Sequence, residues 1–194
     1  MPNTLVTGNP ANEGPNILSS LYNRYVNTLY TYSVGLGFSQ DICMDAIHDV
    51  FCKLALNESR VEKLISEGRE KFYLFCCLKN RLIDISRREG RTDKLDSKTS
   101  VSGFEISIEE SITDEEERKN LKAKVEELMS ELTPSQKEAV YLRYMQEMSY
   151  EEIAQLLNIT PESVRKNVFR AMNKMRLAAK RNPALTVVLL LFHV

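Results

Sequence analysis

The side chains whose chemistry is easiest to read lie in Ser149-Tyr-Glu-Glu-Ile-Ala-Gln-Leu-Leu-Asn-Ile-Thr-Pro-Glu-Ser-Val-Arg-Lys-Asn-Val-Phe-Arg170. That chemistry is anion and base recognition, not bond making. In the second half of the stretch and just beyond it, Val164, Val168, Ala171, Met172 and Met175 fall on one side of a helix. Arg165, Lys166, Asn167, Phe169, Arg170, Lys174 and Arg176 fall largely elsewhere. From Ile159 to Arg181 there are seven Lys or Arg against one acidic residue, Glu162, a formal +6. A basic face alone is compatible with an ordinary solvated helix. The elements in front of it favour contact with DNA.

Those elements are two helices joined by a three-residue turn. Ser149 and Glu152 stand at the spacing of a capping box, in which hydroxyl and carboxylate satisfy orphan backbone donors. Ile153, Leu156 and Leu157 recur at helical spacing and face a core. Asn158 tolerates the left-handed conformation that ends a helix. Thr160 caps the next helix, and Pro161 in its first turn needs no hydrogen-bond partner. A helix pair with so short a turn places a helix N-terminus in the major groove.

The chain has 194 residues and a net charge of −1, which argues against a uniformly basic nucleic-acid binder. Charge is segregated instead. Residues 92–120 carry nine acidic and four basic side chains, a formal −5. Residues 16–91 carry +2 and residues 121–181 carry +3. An acidic tether between two mildly basic modules suits a protein that touches DNA at two places. Cys43, Cys52, Cys76 and Cys77 lack metal-ligand spacing, and the histidines are only His48 and His193, so no metal or other cofactor is expected. Free thiols on helices suit a reducing cytosol. The first fifteen residues, polar and without a signal-peptide pattern, are expected to be disordered.

Helical periodicity runs throughout and predicts an all-α fold: two small helical domains joined by a flexible acidic linker, the C-terminal one a helix-turn-helix. A first helix is expected over about Ile17 to Gly35, broken by Gly35 and Gly37, with Leu18, Leu21, Tyr22, Tyr25, Leu29 and Tyr32 inward. A second spans about Ser39 to Leu56, with Ile42, Ala46, Ile47, Val50, Phe51 and Leu54 inward. Residues 57–70 read as a polar connection with room for a helical turn. A third helix runs from about Glu70 to Arg88, with Phe72, Phe75, Cys76, Leu82 and Ile83 inward. These make a domain over 16–91. The Ser-, Thr-, Gly- and acid-rich linker covers 92–120, although the helical pattern resumes near Thr113. A second domain covers 121–181 and includes another capping box at Thr133-Pro-Ser-Gln136. An apolar tail fills 182–194.

Asp45-Ala-Ile-His-Asp-Val-Phe51, Phe75-Cys-Cys-Leu-Lys-Asn-Arg-Leu-Ile-Asp-Ile-Ser-Arg-Arg88 and the C-terminal helix pair, in that order and spacing, resemble bacterial sigma factors of the extracytoplasmic-function (ECF) group. The resemblance covers residues 16–181. Arg143-Tyr-Met-Gln-Glu-Met-Ser-Tyr-Glu-Glu-Ile is similar in flavour to members from the Bacteroidetes. The resemblance implies a promoter-specificity subunit in the cytoplasm, associated with the nucleoid. It would bind core RNA polymerase at its clamp and flap as a monomeric subunit, melt the −10 region, and act under an anti-sigma factor. No small-molecule substrate is implied.

Residue by residue, the resemblance assigns polymerase contact to Asp45, His48, Asp49 and Phe51. The family usually carries glutamine where His48 stands and glutamate where Asp49 stands. The −10 element falls to Tyr73, Lys79, Asn80, Arg81, Asp84, Arg87 and Arg88. Cations neutralise phosphates and asparagine reads a base edge. Tyr73 stands where many members have tryptophan and would stack on an unpaired base; burial in the core is the other reading for it and for Phe75. The linker acids Glu105, Glu109, Glu110 and Asp114 to Glu117 would mimic a phosphate backbone in polymerase channels. The −35 element falls to Thr160, Ser163, Arg165, Lys166, Asn167, Phe169 and Arg170. Here the helix N-terminus meets phosphate, and Phe169 meets a thymine methyl.

The tail Ala184-Leu-Thr-Val-Val-Leu-Leu-Leu-Phe-His-Val194 is too short to span a membrane, which takes about 20 residues. Left exposed it would aggregate. It is therefore expected to dock into a groove of this protein, of an anti-sigma partner or of the polymerase, with peripheral membrane contact a weaker alternative. Two other function classes remain. A conventional helix-turn-helix activator or repressor would bind duplex DNA without polymerase. An enzyme would need a phosphate-binding glycine loop, a metal cluster or a nucleophile–base pair, and none is legible.

Overall fold

A computed structural model describes residues 17–88 and 115–190, and the described residues are all-α. The expectations for residues 1–16, for Glu105, Glu109, Glu110 and Asp114, and for the last four residues fall outside that range.

Four helices form the N-terminal half: α1 (Ile17–Gly35), α2 (Gln40–Ala55), α3 (Glu58–Ser66) and α4 (Glu70–Arg88). Leu21, Tyr25, Leu29 and Tyr32 recur every three or four residues and give α1 one apolar face, which packs on α2 and α4. Gly35 does not break α1; it is the last residue of the helix, and it is buried. The reversal falls at Gly37, whose φ of +84° favours a residue without a Cβ. The connection over 57–70 is more ordered than its polar composition implies. Asn57 accepts a hydrogen bond from the Arg60 backbone N–H at 3.2 Å and caps the nine-residue α3. Val61 supplies the buried contact that holds α3 to the bundle.

The C-terminal half contains α5 (Glu115–Ser130), α6 (Pro134–Val140), a π-helical turn (Tyr141–Met145), α7 (Tyr150–Leu157) and α8 (Pro161–Arg181). Because α5 starts at Glu115, residues 115–120, counted above with the linker, are helical. Both capping boxes are formed. Thr133 and Gln136 satisfy each other's backbone N–H groups, and Ser149 and Glu152 do the same. Met148, Ile153, Ala154, Leu156, Val164, Val168, Ala171, Met172 and Met175 close the core between α6, α7 and α8.

As far as Leu190, the tail lies against its own domain. Asn182 caps a 3-10 turn (Pro183–Leu185), which leads into α9 (Thr186–Leu190). Leu185 and Val188 are buried where α9 meets α5 and α8. Asn182 Nδ2 donates to Glu127 Oε1 of α5 at 3.0 Å, and Arg181 pairs with Glu131 just beyond that helix, so these polar bonds anchor the start of the tail. No helix among the described residues is long and apolar enough to cross a membrane.

The two halves pack against each other, and their buried side chains form one continuous cluster. The Tyr32 ring lies 4.9 Å from Phe75 in its own half and stacks on Tyr141 of the other half at 6.1 Å and 13°. Tyr32 Oη donates to Glu138 Oε1 at 2.7 Å, and Lys79 Nζ donates to the same oxygen at 2.9 Å. Lys71 Nζ donates to the Gln146 carbonyl at 3.0 Å.

Candidate nucleic-acid interface

α8 is positioned by the turn before it. Asn158 adopts φ 54°, ψ 45°, the left-handed conformation that terminates α7. Thr160 Oγ1 then accepts from the Ser163 backbone N–H at 3.2 Å. The two hydroxyls lie 2.8 Å apart and stand exposed at the helix N-terminus, where the backbone dipole favours an anion. With Val164, Val168, Ala171 and Met175 inward, the 3.6-residue period leaves Arg165, Lys166, Phe169 and Arg170 on the open side. Phe169 is 64% exposed, a large apolar surface set among cations.

Two of these cations already have carboxylate partners. Arg165 Nη2 donates to Glu151 Oε1 at 2.9 Å, and its guanidinium lies 5.3 Å from the Tyr150 ring centre. Arg143 lies 4.8 Å from the same ring and donates to the Met148 carbonyl at 2.8 Å. Lys166 pairs with Glu162 at 3.2 Å, one helical turn away. Exposed pairs of this kind are worth about 0–1 kcal/mol, so they hold these cations only weakly. Asn167 is only half-exposed and donates to Ser135 Oγ at 3.3 Å, which ties it to α6. Sequence reading did not single out Tyr150, Glu151 or Arg143 for this site. An aromatic next to an acid in the first turn of α7 was the available signal, but the packing of α7 on α8 is needed to place them beside Arg165.

The set expected at the −10 element divides by helical phase. Asn80, Asp84, Arg87 and Arg88, at spacings of four, three and one, form an exposed stripe on α4. Arg81 turns towards α2 and bonds Asp49. Lys79 turns the other way, against the C-terminal half, and is paired with buried Glu138, so its ammonium does not face solvent with the stripe. Tyr73 is half-buried, with the Arg60 guanidinium 4.8 Å from its ring centre. Burial, then a hydrogen bond to Cys77, raises its hydroxyl pKa. Phe75 is fully buried.

On α2, Asp45, His48 and Cys52 share an exposed face with the half-exposed Asp49. The Cys52 thiol lies 3.3 Å from His48 Nε2. Phe51 does not belong to that face. It is 5% exposed and packs edge-on against Tyr22 at 5.1 Å, because two residues past Asp49 the helix has turned about 200° and points it into the core. Its part is to hold α2 in place beneath the surface residues.

Residues 122–175, which include both helices of the pair, match the family described as Sigma-70, region 4. The C-terminal domain is therefore a region 4 helix-turn-helix. Over 159 residues the chain is 21% identical to the ECF RNA polymerase sigma factor SigM of Bacillus subtilis (strain 168), covering 82% of this chain and 93% of that protein. The region 4 match and this likeness along most of the chain support a protein similar to the ECF sigma factors.

Proposed function

We propose that this protein is a promoter-specificity subunit that joins core RNA polymerase, recognises −10 and −35 promoter elements, melts the −10 region and starts transcription. The observation that carries the reading is the position of the region 4 match. It coincides with the capped helix pair whose second member exposes Arg165, Lys166, Phe169 and Arg170. In this reading Thr160 and Ser163 meet phosphate, and Arg165 and Arg170 meet base edges or phosphate. Phe169 meets a thymine methyl, while Asn167 reaches DNA only after leaving Ser135. The α4 stripe of Asn80, Asp84, Arg87 and Arg88 lies along the −10 strand, and Tyr73 supports an unstacked base. Flipping such a base costs on the order of a few kcal/mol, which contacts to the captured strand must offset. Asp45, His48 and Asp49 face the polymerase clamp. The protein works in the cytoplasm at the nucleoid, under control of an anti-sigma factor.

The test is transcription in vitro with core polymerase from the same source. The full chain should permit initiation at its own promoter. Arg165→Ala and Arg170→Ala should each weaken −35-dependent initiation by about 5- to 150-fold, since a bidentate base contact contributes roughly 1–3 kcal/mol. Tight duplex binding by the chain with no dependence on polymerase would overturn the reading in favour of a conventional helix-turn-helix regulator.

A further inference from the structure

Glu138 is a buried carboxylate on α6, 1% exposed. What covers it comes from the other domain. A single oxygen, Oε1, accepts from Tyr32 Oη of α1 at 2.7 Å and from Lys79 Nζ of α4 at 2.9 Å. The Tyr32 ring, itself fully buried, stacks on Tyr141 beside this pair. A buried ion pair contributes little net stability compared with apolar packing, but removing one partner strands the other without water. Such a contact specifies one arrangement of two domains without welding them together.

Lys79 gives the arrangement a consequence. It sits one residue before Asn80, where the exposed stripe of α4 begins, and its side chain is 13% exposed. While the domains are closed, its ammonium holds a protein carboxylate and not a nucleic-acid phosphate. The two acceptors are chemically alike: an anionic oxygen at hydrogen-bond distance from an ammonium. We propose that Glu138 is an internal substitute for a phosphate, and that it latches the free chain in a closed form unable to engage single-stranded DNA through Lys79. Separation of the domains hydrates Glu138 and Tyr32 and frees Lys79 for the strand. The role of Lys79 after release rests on the promoter reading above; the latch itself does not. Because only the open fraction offers Lys79, closure lowers the apparent affinity for the strand.

The experiment uses the full chain as wild type, Glu138→Ala, Tyr32→Phe, and Glu138→Ala combined with Lys79→Met. Particle size is read by small-angle X-ray scattering. Affinity for a short mixed-sequence single-stranded oligonucleotide is read by fluorescence anisotropy at low salt. Glu138→Ala should enlarge the particle and raise affinity about tenfold. Tyr32→Phe changes no charge and should move both readouts the same way by less. Adding Lys79→Met should keep the enlarged particle and abolish the gain. If Glu138→Ala loses helical circular dichroism, Tyr32→Phe decides. An unchanged particle size in a folded variant overturns the latch, as does enlargement with no gain in affinity. Initiation by the wild-type chain with core polymerase is scored in parallel. Its absence sinks the promoter reading and leaves a size change standing, whereas an unchanged size sinks the latch and leaves initiation standing.

Discussion

Arg81 grips Asp49 through two nitrogens on a single carboxylate oxygen, Nε at 2.6 Å and Nη2 at 2.5 Å from Oδ2. The pair joins α4, the helix proposed to meet −10 DNA, to α2, the helix proposed to meet polymerase. Each partner is therefore oriented by a residue from the opposite surface. The side chains remain 23% and 40% exposed, so water screens the attraction.

That geometry sets the size of the coupling. Asp49→Ala, Arg81→Ala and the double variant, compared by urea denaturation, should show a coupling energy of about 0.5–1 kcal/mol. The coupling should shrink as salt is added. Strict additivity of the two single changes would show that the pair does not form in solution.

The apolar tail should behave as part of the C-terminal core. Leu185 is 1% exposed and sits where the 3-10 turn meets α5 and α8. Leu185→Ala should destabilise the domain by roughly 2–5 kcal/mol, the usual cost of a buried leucine truncation. Deleting residues 183–194 should do at least as much and should make the protein aggregate, since it uncovers part of the α5–α8 groove. Thermal melts and light scattering check both, and a deletion variant as stable and soluble as the full chain would remove the tail from the core.

Stability should fall in alkali. Burial, then the hydrogen bond to Glu70 and its charge, pushes the Tyr25 hydroxyl from its usual 10 up to about 12. Burial, then the neighbouring Cys77, pushes the Cys76 thiol from 9 up to about 11. Burial and Glu138 hold Tyr32 well above its usual value. A pKa raised in the folded state means that the folded protein holds the proton more tightly. The stability this represents is complete below the unfolded pKa and is lost as pH climbs to the folded one. The expected window is therefore pH 9 to 12, with Cys76 first and Tyr25 after it. Circular dichroism in urea at stepped pH should show a declining midpoint across that window. A midpoint unchanged from pH 8 to 12 would contradict these environments.

The helix ends were legible in the sequence because their causes are local. Ser149 with Glu152, Thr133 with Gln136, and Thr160 with Ser163 each lie three residues apart, close enough for a side chain to reach its own backbone. The inward face of α8 was legible for a related reason, since a 3.6-residue period fixes which side chains share a side. The capped α3 was legible only as a helical turn because its polar surface masks the single buried Val61.

What the sequence by itself determined, then, is the all-α character, the helix pair and its exposed cations. Tertiary structure alone decided which polar residues remain available. Tyr32 and Glu138 are 106 positions apart, and no local pattern announces that they will share a hydrogen bond. That contact takes Lys79 off the exposed surface, as the α2–α4 packing does for much of Arg81. Phe51 was recognisable as inward from its periodicity, but only the ring of Tyr22 shows what it packs against. The apolar tail required a cover from its composition, and the groove between α5 and α8 supplied it. Local hydrogen bonds and periodicity act over a few residues. Burial and pairing depend on which distant surface arrives, and only the folded chain specifies that.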